Sequence, residues 1–121
     1  MKIKLREIEL GVTDPENCKR FYQCTLGLDL LIDQENLKVF NCGVPGIDFN
    51  TSTHFPTGKL AISFLTDNLN AVIEKLRFQE IDFEGPVKSH LGMNTVIFTD
   101  PNGYIVKVNA PTQESPAWMK V

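Results

Sequence analysis

One order of elements occurs twice in this sequence: strand, helix, then three strands, each time in roughly half the chain. The first round opens on Ile3 to Val12, where Ile8, Leu10 and Val12 share one face and Leu5, Glu7 and Glu9 the other. Asp14-Pro15 then starts a helix, with Asp14 as N-cap, Pro15 at the first position and Glu16 at the positive end of the dipole. Cys18, Phe21, Tyr22 and Leu26 fall on one helical face, and Gly27 supplies the stop. Three short strands follow at Leu28 to Ile32, Leu37 to Asn41 and Ile47 to Asn50.

The second round repeats the order. Lys59 to Leu65 reads as a strand, and Asp67-Asn68 caps a helix whose apolar face is Leu69, Val72, Ile73 and Leu76. Strands are expected near Ile81 to Phe83, Asn94 to Thr99 and Tyr104 to Asn109. The last two flank Asp100-Pro101-Asn102-Gly103, a turn in which Pro presets φ and Gly accepts positive φ at the exit. In the closing strand Val106 and Val108 point one way, Ile105 and Lys107 the other.

Each helix has one apolar face to bury, and so does each set of strands. The expected fold is therefore α+β: two βαβββ modules forming a curved mixed-sheet cup with the helices outside and room for a small ligand within. A single domain over 1–121 is expected, with module one about 3–50, a linker at 51–58, module two about 59–110 and a polar tail at 111–121 carrying Trp118. The net charge of −3, with no basic stripe, argues against a nucleic-acid partner. No apolar run reaches membrane-spanning length. Met1 to Lys4 leads into an alternating strand rather than a signal sequence. Cys18, Cys24 and Cys42 have no zinc spacing and fit free thiols in a reducing cytoplasm.

Particular stretches carry a family resemblance. They are Glu7-Ile8-Glu9-Leu10-Gly11-Val12-Thr13-Asp14, Phe21-Tyr22 with Leu26-Gly27-Leu28, Gly85-Pro86-Val87, and Phe98-Thr99-Asp100-Pro101-Asn102-Gly103-Tyr104. Over residues 3–110 the chain resembles the vicinal oxygen chelate superfamily, which includes glyoxalase I, fosfomycin- and bleomycin-resistance proteins and extradiol dioxygenases. The resemblance implies paired βαβββ modules. One departure is Glu80, where similar proteins often place a glycine to end the second helix.

The resemblance also implies where a metal would sit, because metal-binding members hold a divalent ion that chelates neighbouring substrate oxygens. The implied ligand positions fall on Glu7, Asp48, Ala61 (Leu60 if the register slips by one) and Lys107. Alanine and leucine cannot coordinate, and a protonated lysine only donates hydrogen bonds and repels a cation. A Lys107–Glu7 pair, joined by Asp48, is expected where relatives hold a metal. The alternatives are a wet cup with each charge solvated separately, and a relocated metal site using Glu7, Asp48 and a histidine. His90, in Ser89-His90-Leu91-Gly92-Met93, is placed by the resemblance at the mouth of the cup, whereas His54 reads as an unremarkable linker residue.

The ligand-binding candidates are Glu7, Asp48, Ser63, His90 and Lys107, with no metal and no cofactor expected. Three functions fit. The first is a metal-independent small-molecule binding protein of the glyoxalase/bleomycin-resistance type. The second is an enzyme, either a metal-dependent lyase, isomerase or dioxygenase, or an acid–base catalyst using Lys107 with a carboxylate. The third is a regulatory or structural dimer with a vestigial cup. A small-molecule partner, an isologous homodimer and a cytoplasmic location complete the expectation, without nucleic acid or membrane.

Overall fold

The computed structural model describes Met1–Val121. It is α+β, and the chain divides into two compact units, Arg6–Ile62 and Met1–Leu5 with Ser63–Val121.

The first unit contains most of β1 (Ile3–Gly11), followed by α1 (Pro15–Arg20), β2 (Leu30–Gln34), β3 (Leu37–Asn41) and β4 (Asp48–Ser52). Its strands lie in the order β2-β3-β4-β1. The hairpin pairs β2–β3 and β3–β4 are antiparallel, while β1 runs parallel to β4, so the sheet is mixed. Asp14 caps α1 as its composition requires, its Oδ1 accepting from the Asn17 N–H at 3.2 Å, with Pro15 in the first turn. The α-helix is shorter than expected. At Phe21–Thr25 it widens into a π-helical turn and stops at Gly27, whose φ is +75°. The widening carries Tyr22 onto the sheet, with its ring 5.0 Å from Phe49 and 5.5 Å from Phe40.

Lys38, on the same side of β3 as Phe40, is 1% exposed. Its Nζ donates at 2.6 Å to Glu16 of α1, to Asp33 and to the Gln34 carbonyl, which satisfies all three N–H groups. These bonds raise the Lys38 pKa and lower those of Glu16 and Asp33. Burial of an ammonium is tolerated because every donor is used.

The second unit is built from β5 (Leu60–Thr66, of which Ser63–Thr66 belong here), α2 (Leu69–Phe78), β6 (Glu84–Lys88), β7 (Asn94–Thr99) and β8 (Ile105–Ala110). The order β5-β8-β7-β6 repeats that of β1-β4-β3-β2. Asn68 caps α2 by accepting from the Ala71 N–H at 3.0 Å. Val72, Ile73 and Leu76 of α2 pack on Val96 and Val108, flanked by Phe64, Leu69, Phe83, Phe98 and Val106. The Asp100 carboxylate closes the final hairpin by accepting from the N–H groups of Asn102 and Tyr104, each at 2.9 Å, with Gly103 at φ +87°. The strand expected near Ile81 to Phe83 starts instead at Glu84.

Residues after β8 are tied down by side chains. Thr112 Oγ1 donates to the Gly92 carbonyl at 2.6 Å, Lys88 meets Glu114 at 2.8 Å, and Met119 packs with Leu65 and Met93. Trp118 stays 66% exposed. No helix is long and apolar enough to cross a membrane.

Candidate functional site

Alternation along β1 and β4 sorts their side chains onto two faces. Ile8 stands beside Phe49, whose ring meets Tyr22 of the π-helical turn, so this pair marks the helix side. Glu7 beside Asp48, Glu9 beside Asn50 and Gly11 beside Ser52 therefore face the other way. Two of the expected ligand-binding residues, Glu7 and Asp48, are thus brought together by the parallel register.

The electrostatics of this face are uneven. Burial, then the nearby charges of Glu9 and Asp48, push the Glu7 carboxyl above the ordinary carboxylate range, while Asn50 and Arg6 pull it back. Arg6 is committed to Asp48, with 3.0 Å between Nη1 and Oδ2. Asn50 is 3% exposed and hydrogen-bonds Glu7, yet its Oδ1 has no partner. On the helix side Thr51 Oγ1 is likewise unpartnered.

The other expected residues belong to the second unit. Phe64 packs against the α2 core, so Ser63, 4% exposed, faces away from the helix. Lys107 lies between Val106 and Val108, both in the core, and is opposite Ile97, which places it on the same side of its sheet as Ser63. His90 begins a single 3-10 turn, His90–Gly92, with Ser89 Oγ 3.1 Å from its Nδ1.

The metal positions implied by the resemblance do not supply a ligand set. Ala61 has no donor atom, and Lys107 offers only N–H groups when protonated. Nowhere do three His, Cys, Asp or Glu side chains come together in a way that could hold an ion. Nothing local in the sequence marks Asn50; its place opposite Glu9 depends on the β1–β4 register, which joins residues about 40 positions apart. Glu9 was legible only as a neighbour of Glu7 on the same face. In the structure it is buried and bonded to Ser52 and His54.

Comparison with known proteins places this architecture. A search among curated proteins finds no match. Solved structures align over most of the chain. A glyoxalase/bleomycin resistance protein/dioxygenase superfamily member from Vibrio splendidus 12B01 is 13% identical with a TM-score of 0.66, covering 90% of this chain and 99% of that one. Methylmalonyl-CoA epimerase from Mycobacterium tuberculosis is 16% identical with a TM-score of 0.61, covering 91% and 89%. The 2,3-dioxygenase LapB from Pseudomonas sp. KL28 is 17% identical with a TM-score of 0.66, covering 97% of this chain but 45% of its own. These likenesses concern the fold. The family model for the Glyoxalase/Bleomycin resistance protein/Dioxygenase superfamily matches residues 4–108, and the chain belongs to that superfamily.

Proposed function

We propose that this chain binds a small organic molecule without a metal ion, using Glu7, Asp48, Ser63, His90 and Lys107. One observation carries the reading: the unpartnered Oδ1 of Asn50, buried beside Glu7 on the face turned away from the helix. A buried acceptor without a hydrogen bond costs about 1–3 kcal/mol. A ligand N–H or O–H directed at Asn50 recovers that cost, which a bare apolar ligand does not. The poor fit of Ala61 and Lys107 to metal ligation supports the metal-independent part. An isologous homodimer in the cytoplasm belongs to the same proposal.

A second reading is an acid–base enzyme, favoured by the upward shift of the Glu7 carboxyl. A carboxyl that holds its proton nearer neutrality is better matched to proton transfer.

A thermal-shift screen of small molecules beside Ni²⁺, Mn²⁺, Fe²⁺ and Zn²⁺ tests the main reading. The expected result is saturable stabilisation by an organic compound, about 2.7 kcal/mol at a hundred times Kd, that is weakened in Asn50→Leu and in Lys107→Met. Saturable stabilisation by one of the metals, lost in Glu7→Gln, would overturn it.

A further inference from the structure

Glu9 is buried, and its carboxylate lies at the centre of a small hydrogen-bonded group distinct from Asn50. Its Oε2 accepts from the Ser52 hydroxyl at 2.7 Å and lies 3.0 Å from His54 Nδ1. Ser52 is fully buried, and its Oγ accepts from the His54 backbone N–H at 3.2 Å. That leaves the hydroxyl proton to point at Glu9. A carboxylate can only accept, so Nδ1 of His54 must be the donor. In the neutral ring the lone pair then resides on Nε2, on the edge turned away from the carboxylate. The His54 side chain is 55% exposed, whereas that of Glu9 is 10% exposed.

The backbone beneath the ring is held as closely as the ring itself. At Gly11 the segment carrying Phe55 and Pro56 crosses β1 so tightly that a Cβ would stand 2.2 Å from the Pro56 carbonyl oxygen. The Gly11 N–H donates to the Lys59 carbonyl at 2.9 Å, and the Thr53 N–H to that of Asn36 at 3.0 Å. An exposed loop histidine held only by packing would need none of this. A buried carboxylate that fixes one ring nitrogen and leaves the other presented outward is how proteins prepare an imidazole to accept a proton.

We propose that Glu9, Ser52 and His54 form a proton-accepting centre at the C-terminal ends of β1 and β4. His54 Nε2 is the group that meets a ligand or substrate bearing a weakly acidic hydroxyl, and Glu9 and Ser52 are positioning residues. The centre uses none of the residues of the binding reading above, so the two stand or fall separately.

Long-range ¹H–¹⁵N correlation spectra read the tautomer directly. The wild-type protein is expected to show His54 protonated on Nδ1, and an Nε2–H form would overturn the proposal. Carbethoxylation by diethyl pyrocarbonate, followed by peptide mass mapping, reads the reactivity of Nε2. His54 should react about tenfold faster in the wild type than in Glu9→Leu, the low end of what carboxylate partners contribute behind metal-bound histidines. Glu9→Gln, whose amide oxygen still accepts from Nδ1, should restore most of that rate. Equal rates in the wild type and Glu9→Leu would overturn the positioning role; if Glu9→Leu does not fold, the wild-type tautomer decides. 4-Fluorophenol serves as the hydroxyl probe. A saturable shift of the His54 Nε2 resonance supports the ligand class, and no shift at millimolar phenol refutes it.

Discussion

Glu80 follows α2 with φ +55°, in the left-handed region. The hydrogen bonds around it define why. The Ile81 N–H reaches the Leu76 carbonyl at 2.9 Å and the Glu80 N–H that of Arg77 at 3.1 Å, the paired bonds of a Schellman ending with Glu80 at the position that favours glycine. A side chain there costs about 1–2 kcal/mol. Glu80→Gly removes that strain but gives the unfolded chain extra freedom, about 0.4–1 kcal/mol. The net expectation is stabilisation by about 0.5–1 kcal/mol. With about 2.1 cal/mol/K of unfolding entropy per residue, 121 residues convert this to a Tm gain of about 2–4 °C. Urea denaturation should show a raised midpoint at unchanged slope. Glu80→Ala keeps the Cβ and should gain little. If Ala gains as much as Gly, the benefit comes from removing the carboxylate and the backbone argument is wrong; if Gly is neutral or destabilising, the strain is not there.

Three further expectations follow from packing and charge. Because Glu7 is held above its ordinary value of 4.5, folding favours its protonated form, and its contribution is lost as pH rises through the folded value. Glu7→Gln should therefore gain stability relative to the wild type at neutral pH, and the gain should vanish on acidification below the ordinary Glu range; a pH-independent difference in Tm would contradict this. Gly11→Ala places a Cβ 2.2 Å from the Pro56 carbonyl oxygen and should cost at least about 1–3 kcal/mol, with a wild-type midpoint in urea counting against the close approach. Met119→Ala removes the side chain of a buried residue from the Leu65–Met93 cluster and should cost about 2 kcal/mol or more, whereas a change within error would mean that Met119 is not docked there.

The repeat was legible because its signals are local. Asp14-Pro15, Asn68 and the Asp100-Gly103 turn announce their own geometry, and all three behave as their chemistry dictates. The same holds for the alternating faces of β1 and β8. What was not legible depends on distant partners. The π-helical widening at Phe21–Thr25 is fixed by Tyr22 meeting Phe40 and Phe49. His54 looked unremarkable because its partner Glu9 is 45 residues away and is brought near it only when β4 lies beside β1. The tail looked polar because its apolar packing rests on only Met119 and Val121, with Thr112 and Glu114 bonded to Gly92 and Lys88. Of the candidate site, the neighbouring acids Glu7 and Asp48 were readable in advance, while Asn50 was not: its significance is an unfilled bond, which a sequence does not record.

The first residues have a role out of proportion to their position. The Lys2 carbonyl accepts from Thr66 Oγ1 at 2.8 Å, and the Lys2 N–H donates to Asp67 Oδ1 at 2.7 Å, so residues 1–5 belong to the unit built from Ser63–Val121. Loss of residues 1–5 to a protease would therefore register first at the entrance to α2, a segment the ribosome makes more than sixty codons later.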